Sequence, residues 1–180
     1  MGSGSGPFCS IQLNTQLPLE QQLRYQSLEV IRRLLSSAKT IAIVGLSADR
    51  QKASYFVASY LRYEGYTIIP VNPRGGEILG ERVYPDLASI PVPVDIVNVF
   101  RPATEVASVC DQAIAIKAKA LWTQLRIFDL DSMDRALAAG LDVVVDKCIK
   151  MEHGRFGGSL HAAGMNTEIL TAQKPRMVRA

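Results

Sequence analysis

The chain has three cysteines, Cys9, Cys110 and Cys148, an odd number with no C-x-x-C pair. That excludes a disulfide framework and a cysteine-rich zinc site, and it suits a reducing setting, cytoplasmic or within an organelle such as the mitochondrion. No apolar run approaches the roughly 18 residues needed to span a bilayer, so no membrane partner is expected. Lysine and arginine never gather into a run, and a net charge of +3 is too slight for a nucleic-acid surface. The two histidines, His153 and His161, fit no metal-ligand spacing even with Glu152 beside the first, so no metal is expected.

What remains is globular. With 48% apolar and 21% charged residues, 180 residues suit one domain with an ordinary core. The opening "MGSGSGPFCS" lacks arginine and an apolar stretch, and residues 1–19 read as a leader or cloning remnant without structure. Residues 20–153 read as the domain, and 154–180, weakly periodic, as a partly ordered extension.

Along the domain, Leu23, Leu28, Ile31, Leu34 and Leu35 recur at helical spacing, which predicts one amphipathic helix over 20–37. It could cap the domain or make a dimer contact. "TIAIVGL" (40–46) is continuously apolar, as a strand buried on both faces should be. A helix over 53–65 then stops at Gly65, and a strand over 66–73 stops at Pro73. Residues 77–93, broken by prolines, hold one short extended piece and a helical turn. Strands at 95–100, 119–124 and 141–148 alternate with helices at 103–117 and 129–140. Such alternation predicts an α/β fold: a Rossmann-like, doubly wound, mostly parallel sheet, helices on both faces, and an extra N-terminal helix.

In such sheets ligands bind beyond the carboxyl ends of the strands, where strand order reverses. The loops there carry Gly45, Leu46, Ser47, Arg50, Lys52 and Ser54; Asn72, Pro73 and Arg74; Phe100, Arg101 and Pro102; then Trp122, Thr123 and Gln124, with Arg126 nearby. Four cations on the first three loops favour a polyanion. The dinucleotide fingerprint G-x-G-x-x-G is missing after Gly45, but hydroxyls, helix amides and cations can still hold phosphate. NAD-binding units end the second strand with an acid that accepts from a ribose hydroxyl. Here the strand ends "VNPRGG", and Arg74 stands where it would meet a ribose phosphate. Two nucleotides carry one: NADP at the 2′ position and coenzyme A at the 3′ position.

The ordered set "VGLS", "PVNP", "GERVYPDL", "VDIVNVFR", W-x-Q and "DKCIKMEH" resembles the stand-alone CoA-binding domain proteins, over about residues 38–153. These are similar to the N-terminal CoA-binding domain of the succinyl-CoA synthetase α subunit. The resemblance implies that the turn at Gly45, Leu46 and Ser47, with Arg50, Lys52 and Ser54, cradles the pyrophosphate. It implies that Asn72, Pro73 and Arg74 face the ADP phosphates and that Phe100, Arg101 and Pro102 flank the adenosine. It places Trp122, Thr123 and Gln124 toward the pantetheine. The synthetase's second domain, which carries its phosphorylated histidine, has no counterpart here, so ligase activity is not expected. The expected ligand is coenzyme A or an acyl-CoA, bound through its 3′-phospho-ADP by a module that is not catalytic alone. The alternatives are a small NADP-binding oxidoreductase and a subunit of a CoA-dependent enzyme, and a homodimer or a partner enzyme fits either.

Cys148, Lys150, Glu152 and His153 invite a nucleophile reading, but catalysis needs the thiol and imidazole within hydrogen-bond reach. Packing of Cys148 against the sheet is the expectation instead, as it is for Trp122, which sits in a strand.

Overall fold

The computed structural model describes residues 17–157. Two short helices, α1 (Leu19–Tyr25) and α2 (Leu28–Ser37), precede β1 (Thr40–Val44), α3 (Ala53–Tyr63) and β2 (Thr67–Val71). A hairpin of β3 (Glu77–Ile78) and β4 (Glu81–Arg82) leads to β5 (Ile96–Val99). Then come a 3-10 turn (Ala103–Glu105), α4 (Val106–Ala115), β6 (Ala120–Thr123), α5 (Leu130–Ala138), β7 (Asp142–Val144) and α6 (Ile149–Phe156).

The main sheet runs β2-β1-β5-β6-β7, every pair parallel. Alternate side chains along these strands enter two separate cores, because both faces are covered. Ala42, Val97, Val99 and Leu121 pack with Val106, Val109 and Cys110 of α4 and Met133 and Ala136 of α5. Ile41, Ile43, Ile96 and Trp122 pack on the other face with Leu34, Val57, Ala58, Leu61 and Ile149 of α2, α3 and α6. The expected Rossmann-like sheet, wound both ways, is therefore present.

The single helix expected over 20–37 is two helices, and the reason lies at the edge of the sheet. Gln26 donates through its side-chain amide to Val145 O at 2.9 Å, and Val145 N donates to Tyr25 O at 3.2 Å. The chain thus crosses the β7 edge at 25–26 and covers what would be an unpaired strand. Leu17 and Tyr25 enter one core, Ile31, Leu34 and Leu35 the other. Ser27 restarts the helix by accepting from Val30 N at 3.4 Å. Leu23 and Leu28, expected on a buried face, are exposed. The Tyr25 hydroxyl donates to Asp134 at 2.5 Å, and burial followed by this carboxylate pushes the phenol up to about 12.

Residues 77–93 also differ from expectation. They hold two extended pieces, paired through a two-residue turn in which Leu79 (φ 58) and Gly80 (φ 76) are both left-handed. That is the backbone a tight hairpin needs, with leucine in a place usually taken by asparagine or aspartate. The Arg62 guanidinium donates to Leu79 O. Beyond the hairpin, Tyr84 bridges Val71 and so covers the β2 edge, where Pro70 is tolerated. The segment "DKCIKMEH" supplies most of α6, which runs past the expected boundary at 153 to Phe156. Residues 1–16 and the tail from 158, with His161, lie outside the described residues.

At the amino end of the sheet, Asp95 ties three strands together. Its carboxylate accepts from Lys39 N (2.7 Å) and Thr40 N (3.0 Å) and pairs with Lys119 Nζ (2.6 Å). Burial alone would raise its pKa, but Lys119 and these two amides outweigh burial and hold it at about 2. Its contribution is present above the unfolded-chain pKa, near 4, and disappears as pH falls through 2. Asp95→Asn should cost about 2 kcal/mol at pH 7. Denaturant melts of both proteins from pH 7 to pH 2 test this: the gap between them should close across the interval from pH 4 to pH 2.

Candidate functional site

Strand order reverses between β1 and β5, and the loops leaving their carboxyl ends meet there. A cleft of about 590 Å³ opens between them, lined by Gly45, Ser47, Lys52, Ala53, Ser54, Asn72, Pro73, Arg74, Phe100 and Arg101.

Gly45 is the tightest point. Its N–H donates to Val71 O at 2.8 Å, and Phe100 N donates to Val44 O at 2.8 Å, which draws three loops together. Its φ is 87°, and a Cβ there would stand 2.6 Å from the Phe100 carbonyl oxygen and 2.7 Å from Arg101 Cδ. Only glycine meets both demands.

The loop after Gly45 is organised by its own polar groups. Ser47 N donates to Ser54 Oγ (3.2 Å), Asp49 N to Ser47 Oγ (3.1 Å), and Gln51 N to Asp49 Oδ1 (2.9 Å). These bonds use the two serine oxygens as acceptors and leave their hydroxyl protons for a ligand. Asp49 is a carboxylate within this cationic loop, spent on the turn. The loop delivers the chain to α3, whose N-cap residue, Lys52, makes no side-chain cap. The Ala53 and Ser54 amides therefore open the helix without an acceptor among the described residues, an arrangement suited to phosphate oxygens.

Asn72 sets the second loop. Its Nδ2 donates to Leu46 O at 3.0 Å and its Oδ1 accepts from Arg74 N at 3.0 Å, a side-chain turn that sends the chain around Arg74. Lys52 and Arg74 carry no ion pair among the described residues, whereas Arg101 donates twice, at 2.7 Å each, to the carboxylate of Glu105. Arg101 is thus partly neutralised. The four-residue spacing of Arg101 and Glu105 across the turn is the sequence signal for this pair.

The other predicted residues stand apart from this lining. Leu46 turns into the core, Arg50 projects into solvent, and Pro102 opens the 3-10 turn. The expected pantetheine-side residues are inside the protein. Trp122 is fully buried, its indole N–H donating to Lys147 O at 2.7 Å. Thr123 is fully buried, and its hydroxyl accepts from Asp146 N at 3.4 Å. Gln124 donates to Asn98 Oδ1 at 2.8 Å, a buried polar pair on the central strands in which Asn98 Nδ2 has no partner. These three residues alternate between two faces that are both covered, so each is buried whichever way it points.

The His153 imidazole meets the Tyr60 hydroxyl at 3.0 Å through Nδ1, and Cys148, at the N-cap of α6, packs against the core. Five residues along a helix turn the chain by about 500°, which puts the two on different sides. No group of three or more potential metal ligands occurs among the described residues, and no helix among them is long and apolar enough to cross a membrane.

A sheet wound both ways, with a cationic, amide-lined cleft at its reversal, defines a Rossmann-like domain. The sequence model of the CoA binding domain matches residues 39–154. Protein YneT of Bacillus subtilis (strain 168) is 35% identical over 123 residues, covering 68% of this chain and 91% of its own. A hypothetical protein from Pyrococcus horikoshii OT3 superposes with a TM-score of 0.71 at 34% identity, covering 73% of this chain and 93% of that one. The protein called cell-free ID.343 from Thermus thermophilus gives a TM-score of 0.69 at 36% identity, covering 72% and 98%. The chain belongs to the CoA-binding-domain family.

Gly45→Ala should lower stability by at least about 2 kcal/mol, since a left-handed backbone and a steric overlap add. Gly75→Ala is the control, because Gly75 is also left-handed (φ 64) but has nothing within 4 Å of its Cβ position. Urea midpoints decide: Gly45→Ala should fall well below Gly75→Ala, and equal midpoints would contradict the close approach.

Proposed function

We propose that the protein binds coenzyme A or an acyl-CoA through its 3′-phospho-ADP and acts as a binding module without catalysis of its own. The observation that carries this reading is Arg74, without an ion pair among the described residues and lining the cleft at the carboxyl end of β2, where an NAD site would want an acid. Three further features fit the ligand. The Ala53 and Ser54 amides and Lys52 suit the diphosphate, Ser47 and Ser54 supply hydroxyl donors, and Arg101 borders the cleft from the third loop. Lys52 and Arg74, with the helix amides and an Arg101 partly held by Glu105, suit more negative charge than a bare diphosphate carries. The expected contacts of Trp122, Thr123 and Gln124 with the pantetheine are not part of this proposal, because those side chains are spent inside the sheet.

Thermal stabilisation tests the reading. At a ligand concentration about 100 times Kd, linkage gives about 2.7 kcal/mol. For a domain of this size that amounts to roughly 5–10 °C in Tm. Coenzyme A should give the larger shift and dephospho-CoA, which lacks the 3′-phosphate, a smaller one, with the difference lost in Arg74→Gln. Equal shifts from both would remove Arg74's role. A larger shift from NADPH would favour the oxidoreductase alternative instead.

A further inference from the structure

A second cleft, of about 430 Å³, lies between α2 and α6, lined by Arg32, Arg33, Leu35, Ser36, His153, Phe156 and Gly157. Helix α2 leads into the amino end of β1, and α6 runs back from the carboxyl end of β7. Their last turns therefore meet at the end of the sheet opposite the first cleft. Nothing proposed for coenzyme A uses these residues.

Among the described residues, no carboxylate lines this cleft. Arg33 is committed, with both terminal nitrogens on Asp142 at 2.9 and 3.0 Å. Arg32 has no carboxylate partner among the described residues, and its guanidinium lies over the Phe156 ring, 4.7 Å from the centroid. That face contact leaves the edge of the fork for hydrogen bonding. His153 is only 5% exposed and is held between Tyr60 and Tyr66, edge to face, at centroid distances of 5.6 and 5.3 Å. The Tyr60 hydroxyl stands 3.0 Å from Nδ1, and Nε2 lies beside Gly157 at the cleft; where the hydroxyl donates to Nδ1, the ring proton sits on Nε2. Leu35 and Phe156 make the walls apolar. A concave, mainly apolar site with a few convergent polar groups is the form that small-molecule pockets take.

We propose that this cleft is a second binding site, for a small carboxylate with an apolar body. Arg32 takes the carboxylate, His153 Nε2–H donates to the same group, and Leu35 and Phe156 hold the body. The reading stands independently of the coenzyme A assignment.

The imidazole supplies a handle on it. Burial pushes His153 below its usual pKa, against the opposing charge of Glu64. The other groups around it are the phenols of Tyr60 and Tyr66, Arg32 and Arg33 from α2, and Glu152 and Arg155 on its own helix. Glu152 is itself paired with Lys147 and Arg155. The ring is therefore neutral at pH 7. A bound anion favours the protonated ring, so binding should tighten as pH falls.

The test is an NMR titration of the imidazole C–H signals, of which the chain has two sets, with His161→Gln assigning the other. Benzoate and hexanoate are the probes, benzyl alcohol and hexanol their uncharged controls. The expected result is a saturable displacement of the His153 signals by the acids at millimolar concentration. It should be stronger at pH 6 than at pH 8 and at least tenfold weaker in Arg32→Gln, whose exposed site leaves the fold intact. No saturable displacement, equal displacement by the alcohols, or an unchanged affinity in Arg32→Gln would overturn the proposal.

Discussion

Where the Gly45 turn passes the backbone of Phe100, there is no space for a methyl group, and the geometry of the first cleft follows from that contact. The turn is pinned on one side by Val71 O and on the other by the start of the third loop. Three chain segments that are distant in sequence leave the sheet within a few ångströms of one another. A bulkier residue would separate them, and the cations they carry would no longer address one ligand. Glycine serves here to bring strands together, whereas extra glycines in a dinucleotide loop serve to admit the pyrophosphate.

Electrostatics then divides the work unevenly. Among the described residues Lys52 and Arg74 line the cleft without ion-pair partners, while Arg101 arrives already held by Glu105 and Arg50 lies outside. A count of basic residues on the loops therefore overstates the charge presented to a ligand. The helix amides of Ala53 and Ser54 make up part of the difference, and they have no signature in residue type. Opposite, at the amino end, the pattern inverts. Asp95 is the central charge there, and its role is to fasten strands.

The sheet was legible in the sequence because its strands are continuous apolar runs that no surface element would carry. The break at Gln26 shows in the sequence only as the five-residue step from Leu23 to Leu28, and its cause is a distant edge, Val145, that local pattern cannot report. The β3–β4 hairpin escaped for a related reason: its turn uses Leu79 where turn chemistry leads one to expect asparagine or aspartate. At the site, Gly45, Ser47, Asn72 and Arg74, which local turns fix, all line the first cleft. Trp122, Thr123 and Gln124, which the resemblance sets toward the pantetheine, are buried because both faces of the sheet are covered, and that depends on distant helices rather than on local pattern.

The central claim is that cations gathered at one end of the sheet receive a nucleotide bearing a phosphate beyond its diphosphate. Phosphorus NMR of coenzyme A titrated with the protein tests this directly, because the 3′-phosphate and the diphosphate resonate separately. The account predicts that both signals move on binding and that the 3′-phosphate loses a proton at lower pH when bound, as it should beside Arg74. A 3′-phosphate that keeps its free position and titration while the diphosphate shifts would contradict it.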